Sequence, residues 1–217
     1  MNNNPSDADQ LSFEIRAAAG RTEFRKFRGL NQLAGAPNAE RSARQMWLAH
    51  KSGMLSRALS VENDQTIEQV WATAGLQGAV IARSLALVAV SHGEVIGGLT
   101  AGPPLGLIAH LVAIDRTAVR RAVKAMVKIH TLAVLPEYER NGIGRALLND
   151  AINTYTAADA AVMYGQVATG NTRFYRRTGF TIHPTGHPLT FTPHEIPLVQ
   201  IAEGGESFFS LQLSLQP

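Results

Sequence analysis

The stretch Lys128-Ile129-His130-Thr131-Leu132-Ala133-Val134-Leu135-Pro136-Glu137-Tyr138-Glu139-Arg140-Asn141-Gly142-Ile143-Gly144-Arg145-Ala146-Leu147-Leu148 decides how this sequence folds. Positions 127–134 read as a buried strand, ended by Pro136. Gly142-Ile143-Gly144 then opens a helix with Leu147, Leu148, Ala151, Ile152 and Tyr155 on its apolar side. A strand that passes through a glycine-containing loop into a helix N-terminus makes a place for an anion. The glycines allow positive φ and close approach of backbone to a ligand. The first helical N–H groups are unpaired and point outward, and Arg140 and Arg145 add charge-assisted donors. Two common phosphate loops do not fit. A P-loop requires Gly-x-x-x-x-Gly-Lys-Ser/Thr, and Arg145 follows Gly144. A dinucleotide loop requires Gly-x-Gly-x-x-Gly, and Leu147 occupies the third glycine position.

Working outward, positions 160–167 form a second apolar strand, 172–178 a short helix stopped by Gly179, and 180–182 a strand. Residues 184–205 are rich in Pro and Gly and read as loop, followed by a last strand at 208–213. Upstream, 85–90 and 95–99 are two apolar runs around a Gly-containing turn, a hairpin pattern. Positions 105–126 carry a helical stripe that Asp115 interrupts, so two short helices or one kinked helix are expected. Positions 39–59 and a segment capped by Asp64 (Ile67, Val70, Trp71, Ala74) have helical spacing. Positions 11–16 alternate as a strand, and 1–10 read as a flexible tail. The order predicts one mixed α/β domain, 11–217, around a single sheet.

Composition sets the outer limits. Of 217 residues, 45% are hydrophobic, enough for a sizeable core. Cysteine is absent, which excludes disulfides, thiolate metal sites and a cysteine nucleophile. The first ten residues show neither a basic start nor an apolar run, and no apolar stretch reaches the roughly 18–20 residues that span a bilayer, so a cytoplasmic protein is expected. The formal net charge is +3. Arg16, Arg21, Arg25, Lys26, Arg28, Arg41, Arg44, Lys51 and Arg57 are opposed only by Glu14, Glu23 and Glu40 between positions 13 and 57. A solvated helix face accounts for them, and no RNP-like, zinc-finger or helix-turn-helix pattern supports nucleic-acid binding.

The segment Glu139-Arg140-Asn141-Gly142-Ile143-Gly144, with Leu132-Ala133-Val134 before it, resembles the Gln/Arg-x-x-Gly-x-Gly/Ala loop of the GNAT superfamily of N-acetyltransferases. Asn171-Thr172-Arg173-Phe174-Tyr175-Arg176-Arg177-Thr178-Gly179-Phe180 is similar to the family's second signature and follows at the expected distance. The resemblance implies a mostly antiparallel sheet with two splayed central parallel strands, flanked by helices, and acetyl-CoA as co-substrate with no metal. It implies cofactor contacts from Leu132, Ala133, Val134, Arg140, Asn141, Gly142, Ile143, Gly144, Arg145, Asn171 and Tyr175. The implied reaction is transfer of the acetyl group to a primary amine by direct attack. Tyr175 stands where the family keeps the acid that protonates the leaving thiolate. His130 stands where a related group of enzymes has a residue that helps remove the amine proton through water; other members use a Glu at the position of Lys128. Glu94 is a distant second candidate for base. Glu139 departs from the pattern, since a carboxylate there repels a pyrophosphate.

Strand alternation puts His130, Leu132 and Val134 on one face. His183, His187 and His194 have irregular spacing and no nearby Asp, which argues for loop polarity rather than a metal. The acceptor, a small-molecule or peptide amine, is left open by the sequence. The resemblance implies that its site is set by the first helices, 22–76, and by the insertions near 103–126 and 184–205, and the stripe at 103–126 is expected to bury as a lid or in a homodimer. A non-catalytic acyl-CoA-binding module on the same scaffold is the alternative reading.

Overall fold

The computed structural model describes residues 11–36, 38–59, 63–113, 115–192, 198–202 and 204–213. The tail at 1–10 and His194 lie outside them. In chain order the elements are β1 (Glu14–Ala17), α1 (Arg21–Leu33), α2 (Ala39–Lys51), α3 (Asn63–Ala82), β2 (Leu85–Ser91), β3 (Glu94–Gly102), α4 (Leu105–Ala109), α5 (Arg116–Ala125) and β4 (Met126–Val134). A 3-10 turn at Pro136–Tyr138 leads into α6 (Ile143–Ala157) and β5 (Val162–Ala168). After these come α7 (Thr172–Arg177), β6 (Thr181–Ile182), β7 (Leu189–Phe191), β8 (Leu198–Gln200) and β9 (Glu206–Gln212).

The main sheet has the order β1-β2-β3-β4-β5-β9-β6, and only β4 and β5 run parallel. Alternation along the strands sends one set of side chains to each face. On one face Leu87, Leu99, Val127 and Met163 pack with Leu147, Leu148, Ala151 and Tyr155 of α6. On the other, Phe24, Phe27 and Leu30 of α1 cover Ala86, Val88 and Val95. Further along that second face Val119, Ala122 and Val123 of α5 cover Val162, Tyr164 and Phe208.

Helix α1 is the element the sequence reading missed. Phe24, Phe27, Leu30 and Asn31 are buried at helical spacing, while Arg21, Arg25, Lys26 and Arg28 point outward. The density of charge hid an apolar stripe of only a few residues. Of the two arrangements expected for 105–126, two short helices form, α4 and α5, and Asp115 starts the second. Its carboxylate accepts from the Thr117 N–H at 2.7 Å as the N-cap of α5. The α5 stripe is buried on the chain's own sheet, so it needs neither a lid contact nor a second copy to cover it. Helix α3 breaks at Gly75, whose φ of 62° and ψ of −161° lie outside helical space. The Asp64 side chain, expected to cap it, is outside the described residues. The segment 184–205 is not simply loop: β7 and β8 pair in it as a two-stranded antiparallel sheet. No helix among the described residues is long and apolar enough to cross a membrane.

One buried cation ties these layers together. Arg83, fully buried, donates to the carbonyls of Ala58 (3.3 Å), Lys124 (2.6 Å) and Ala158 (3.0 Å). The latter two close α5 and α6, where helix dipoles favour positive charge.

Candidate active site

The ladder between β4 and β5 is short: Met126 faces Val162, Val127 faces Met163, Lys128 faces Tyr164, and there the pairing ends. The other edge of β4 stays paired to β3 as far as Val134. From Ile129 onward the two parallel strands diverge, and the edge of β4 that faced β5 opens onto a cleft of about 1000 Å³.

A bulge adjusts β4 at this point. Thr100 faces Thr131 and Ala101 faces Ile129, so His130 is the extra residue on β4. The side-chain alternation shifts by one across it. Val127 and Ile129 before the bulge, and Leu132 and Val134 after it, pack on the α6 side. Thr131 turns the other way and donates to Asn31 of α1 at 2.7 Å. The strict alternation expected for His130, Leu132 and Val134 is corrected accordingly: the last two share a face, and His130 is the unpaired residue at the point of divergence.

His130 is exposed, with its ring open to the cleft and crowded by the cleft walls. Burial, and secondarily the charge of Lys128, lower its pKa to about 4. That shift is fully developed when a ligand has expelled the cleft water; while water fills the cleft it is smaller and in the same direction.

At one end of the cleft α6 begins. Gly142 holds φ at 79° as its N-cap, and among the described residues no side chain caps the helix, so the first N–H groups face the opening. Arg140 also takes a positive φ of 65°. Gly144 has ordinary helical backbone. Asn141 turns back and donates to the carbonyls of Tyr138 and Glu139, both at 3.1 Å, and is not among the lining residues. Arg140, Arg145, Arg173 and Arg177 line the cleft, with Glu139 and Glu206 the opposing carboxylates.

Tyr175 is held by aromatic contacts. Its ring stacks on Phe209 at 3.6 Å and 13°, with Phe174 and Phe180 edge-on at 5.1 and 5.9 Å. Burial pushes its phenol pKa upward, so the hydroxyl keeps its proton through the physiological range. It lines the cleft, as does Asn171.

Of the candidate residues, His130, Leu132, Ala133, Val134, Arg140, Gly142, Ile143, Gly144, Arg145, Asn171 and Tyr175 therefore share one cleft. Glu94 does not; it sits 3.5 Å from Lys26 at the surface. His183 bonds Ser210 at 2.8 Å, away from the cleft lining. No group of three or more His, Asp or Glu side chains among the described residues is placed to hold a metal. Leu33, Ala34 and Gly35, at the end of α1, fall within the 22–76 region expected to shape the acceptor site, though not singled out there; Gln166 and Glu206, on adjoining strands, the sequence reading missed. Gln166 was legible as the one long polar side chain inside an apolar strand; the others required the fold.

Residues 82–182, which hold both splayed strands and α6, match the family model of the acetyltransferase (GNAT) domain. Over that stretch the chain resembles a GNAT acetyltransferase domain, and the fold of its described residues is similar to that of GNAT-family structures. Among solved structures it is similar to yncA from Salmonella typhimurium, solved with acetyl-CoA (15% identity, 95% of this chain and 96% of that one, TM-score 0.55). An aminoglycoside 6'-N-acetyltransferase complexed with coenzyme A is also similar (12%, 94% and 99%, 0.54). A third is the ribosomal-protein-S18-alanine N-acetyltransferase of Escherichia coli (15%, 95% and 97%, 0.50). At these identities the likeness is one of fold. No curated protein matches the sequence.

Proposed function

We propose that the protein transfers the acetyl group of acetyl-CoA to a primary amine, in the cytoplasm where acetyl-CoA is at hand. The observation that carries the reading is the divergence of β4 from β5 directly beside the uncapped start of α6. An extended polar arm can lie along the free edge of β4 at Leu132–Val134, while a pyrophosphate reaches the N–H groups after Gly142 and the guanidinium groups of Arg140 and Arg145. The residues present fit that cofactor: four arginines outnumber two carboxylates in the cleft. Acetyl-CoA supplies the activated acyl group.

The chain's own residues then have three tasks. The N–H groups along β4 hold the thioester carbonyl, where negative charge develops as the amine attacks. Tyr175, protonated and fixed by Phe209, donates to the departing sulfur. His130, neutral at working pH, accepts the amine proton through water. Glu139 lies beside the phosphate region, and its backbone rather than its carboxylate serves the loop.

Calorimetry with acetyl-CoA, followed by thiol release with a panel of primary amines, tests this. Binding with amine-dependent release is the expected result. Binding without release from any amine removes the catalytic part, and absence of binding removes the whole reading.

A further inference from the structure

A chain of hydrogen bonds runs from the β7–β8 insertion to the cleft, and its polarity is fixed at one end. Lys128 Nζ donates to Gln166 Oε1 at 2.9 Å. An ammonium can only donate, so the Gln166 atom it meets is the amide oxygen. Gln200 approaches the same oxygen at 3.2 Å and must do so with its NH2. Its own oxygen therefore points away, to accept from the Tyr164 hydroxyl at 2.9 Å. With the oxygen of Gln166 occupied twice, its Nε2 is the group turned to the cleft, which Gln166 lines.

The position of this donor matters. Gln166 and Glu206 lie on the same face of the β5–β9 pair: Gln166 faces Phe208 and Ala168 faces Glu206. They are diagonal neighbours, about 7–8 Å apart at the backbone, within reach of two long side chains. Both line the cleft, as do Leu33–Gly35, and they come from β5, β9 and the end of α1 rather than from the loop that opens α6. This end of the cleft thus presents an oriented amide donor beside a carboxylate.

We infer that it binds the acceptor amine by a carbonyl oxygen next to its nitrogen, with Gln166 Nε2 donating to the oxygen and Glu206 accepting from the amine. The inference rests on the acetyltransferase reading above and names its acceptor class. Gln166 is a binding residue in this scheme; Lys128 and Gln200 are positioning residues that keep its amide from flipping.

The probes are phenylalaninamide and phenethylamine, which differ only by the carboxamide. The carboxamide also lowers the pKa of the amine, so rates are referred to the free amine at one pH. The decisive quantity is the change in the selectivity ratio between enzymes. Wild type is expected to favour the amide at least tenfold in kcat/KM, chiefly through KM. Gln166→Glu, isosteric and unable to donate, and Lys128→Met, which releases the amide to flip, should bring the ratio to within about threefold of one. Acetyl-CoA affinity, measured in parallel, reports that each variant is folded. A ratio near one in wild type overturns the inference, as does a ratio untouched by either substitution. Acetyl-CoA binding without acetylation of either probe also overturns it, and leaves the acetyltransferase reading to be judged on other amines. Absence of acetyl-CoA binding in wild type overturns both. A tripeptide beginning with phenylalanine, used as a third probe, separates a peptide N-terminus from a small amide; acetylation of it that depends on Gln166 supports the inference equally.

Discussion

Gly142 and Gly144 stand two residues apart in the loop that opens α6, and they should respond oppositely to alanine. Gly142 has φ at 79°, and a Cβ built there meets nothing within 4 Å. The cost of Gly142→Ala is therefore conformational, not steric: about 1–2 kcal/mol for an L side chain in left-handed space. For a domain of this size that is a drop in Tm of roughly 2–8 °C. Relief of the strain rotates the first N–H groups of α6 away from their common direction, and acetyl-CoA affinity should fall at least tenfold, about 1.4 kcal/mol. Gly144 is helical, and its added Cβ would sit 3.5 Å from Phe174 and 3.8 Å from Val134, ordinary contact distances. Gly144→Ala should raise stability by about 0.5–1 kcal/mol, the helix-interior difference between the two residues. Acetyl-CoA affinity should stay within about threefold. Differential scanning calorimetry and titration calorimetry on the two variants make the comparison. Equal loss of affinity in both would mean that backbone approach at Gly144, not the φ of Gly142, sets the site. Unchanged affinity in a folded Gly142→Ala would remove the loop from cofactor binding.

The other predictions follow from single contacts. Tyr175→Phe keeps the stack on Phe209 and removes the proton, so turnover should fall roughly 10²-fold with acetyl-CoA affinity nearly intact; lost affinity with preserved turnover would make Tyr175 a packing residue. Arg83→Met strips three buried carbonyls of their donor and should cost roughly 3–5 kcal/mol by denaturant unfolding, whereas a loss under about 1 kcal/mol would show those carbonyls finding other partners. His130 should titrate well below the ordinary histidine range because burial and Lys128 both disfavour its charged form. The neutral form is the active one, so with rates referred to the free amine the His130 contribution is fully present above the unperturbed pKa of about 6.5 and is lost only as pH falls toward about 4. Lys128→Met should raise the His130 pKa in an NMR titration, and a downward shift or none would remove Lys128 as a cause.

The legible part of the fold was the part with strong local patterns. The stretch from Lys128 to Leu148 combines a strand, a turn and a helix start that each follow from residue type, and β2, β3, α6 and α7 appeared within a few residues of their expected bounds. What failed has physical reasons. The α1 stripe is interleaved with arginines that stay exposed, so composition masked periodicity. The bulge at His130 cannot be read from one strand, since register belongs to the pair. Gln166 and Glu206 meet only because β9 returns beside β5 from some forty residues further along the chain. The loop proposed to hold the cofactor is local and could be read; of the surface proposed to meet the acceptor, the α1 region was expected, and the pairing of β5 with β9 was not.

Lys128 joins the two halves of this site. It occupies the last rung before β4 and β5 part, so its backbone is fixed from both sides while its side chain reaches Gln166 beyond the rung. A positive charge there opposes protonation nearby. It lowers the His130 pKa, and in the proposed scheme it opposes an ammonium while the Glu206 carboxylate favours one. Attack in that scheme needs the neutral amine whichever charge prevails, and His130 would pass on the proton that the charged intermediate releases. That requirement bears on the choice of amine. An amine beside a carbonyl has a pKa near that of a peptide α-amino group, about 8, against about 10.4 for a lysine side chain. At pH 7 the first is neutral in roughly a tenth of molecules and the second in fewer than a thousandth. The need for a neutral nucleophile thus favours the kind of amine that the Gln166 amide is proposed to recognise.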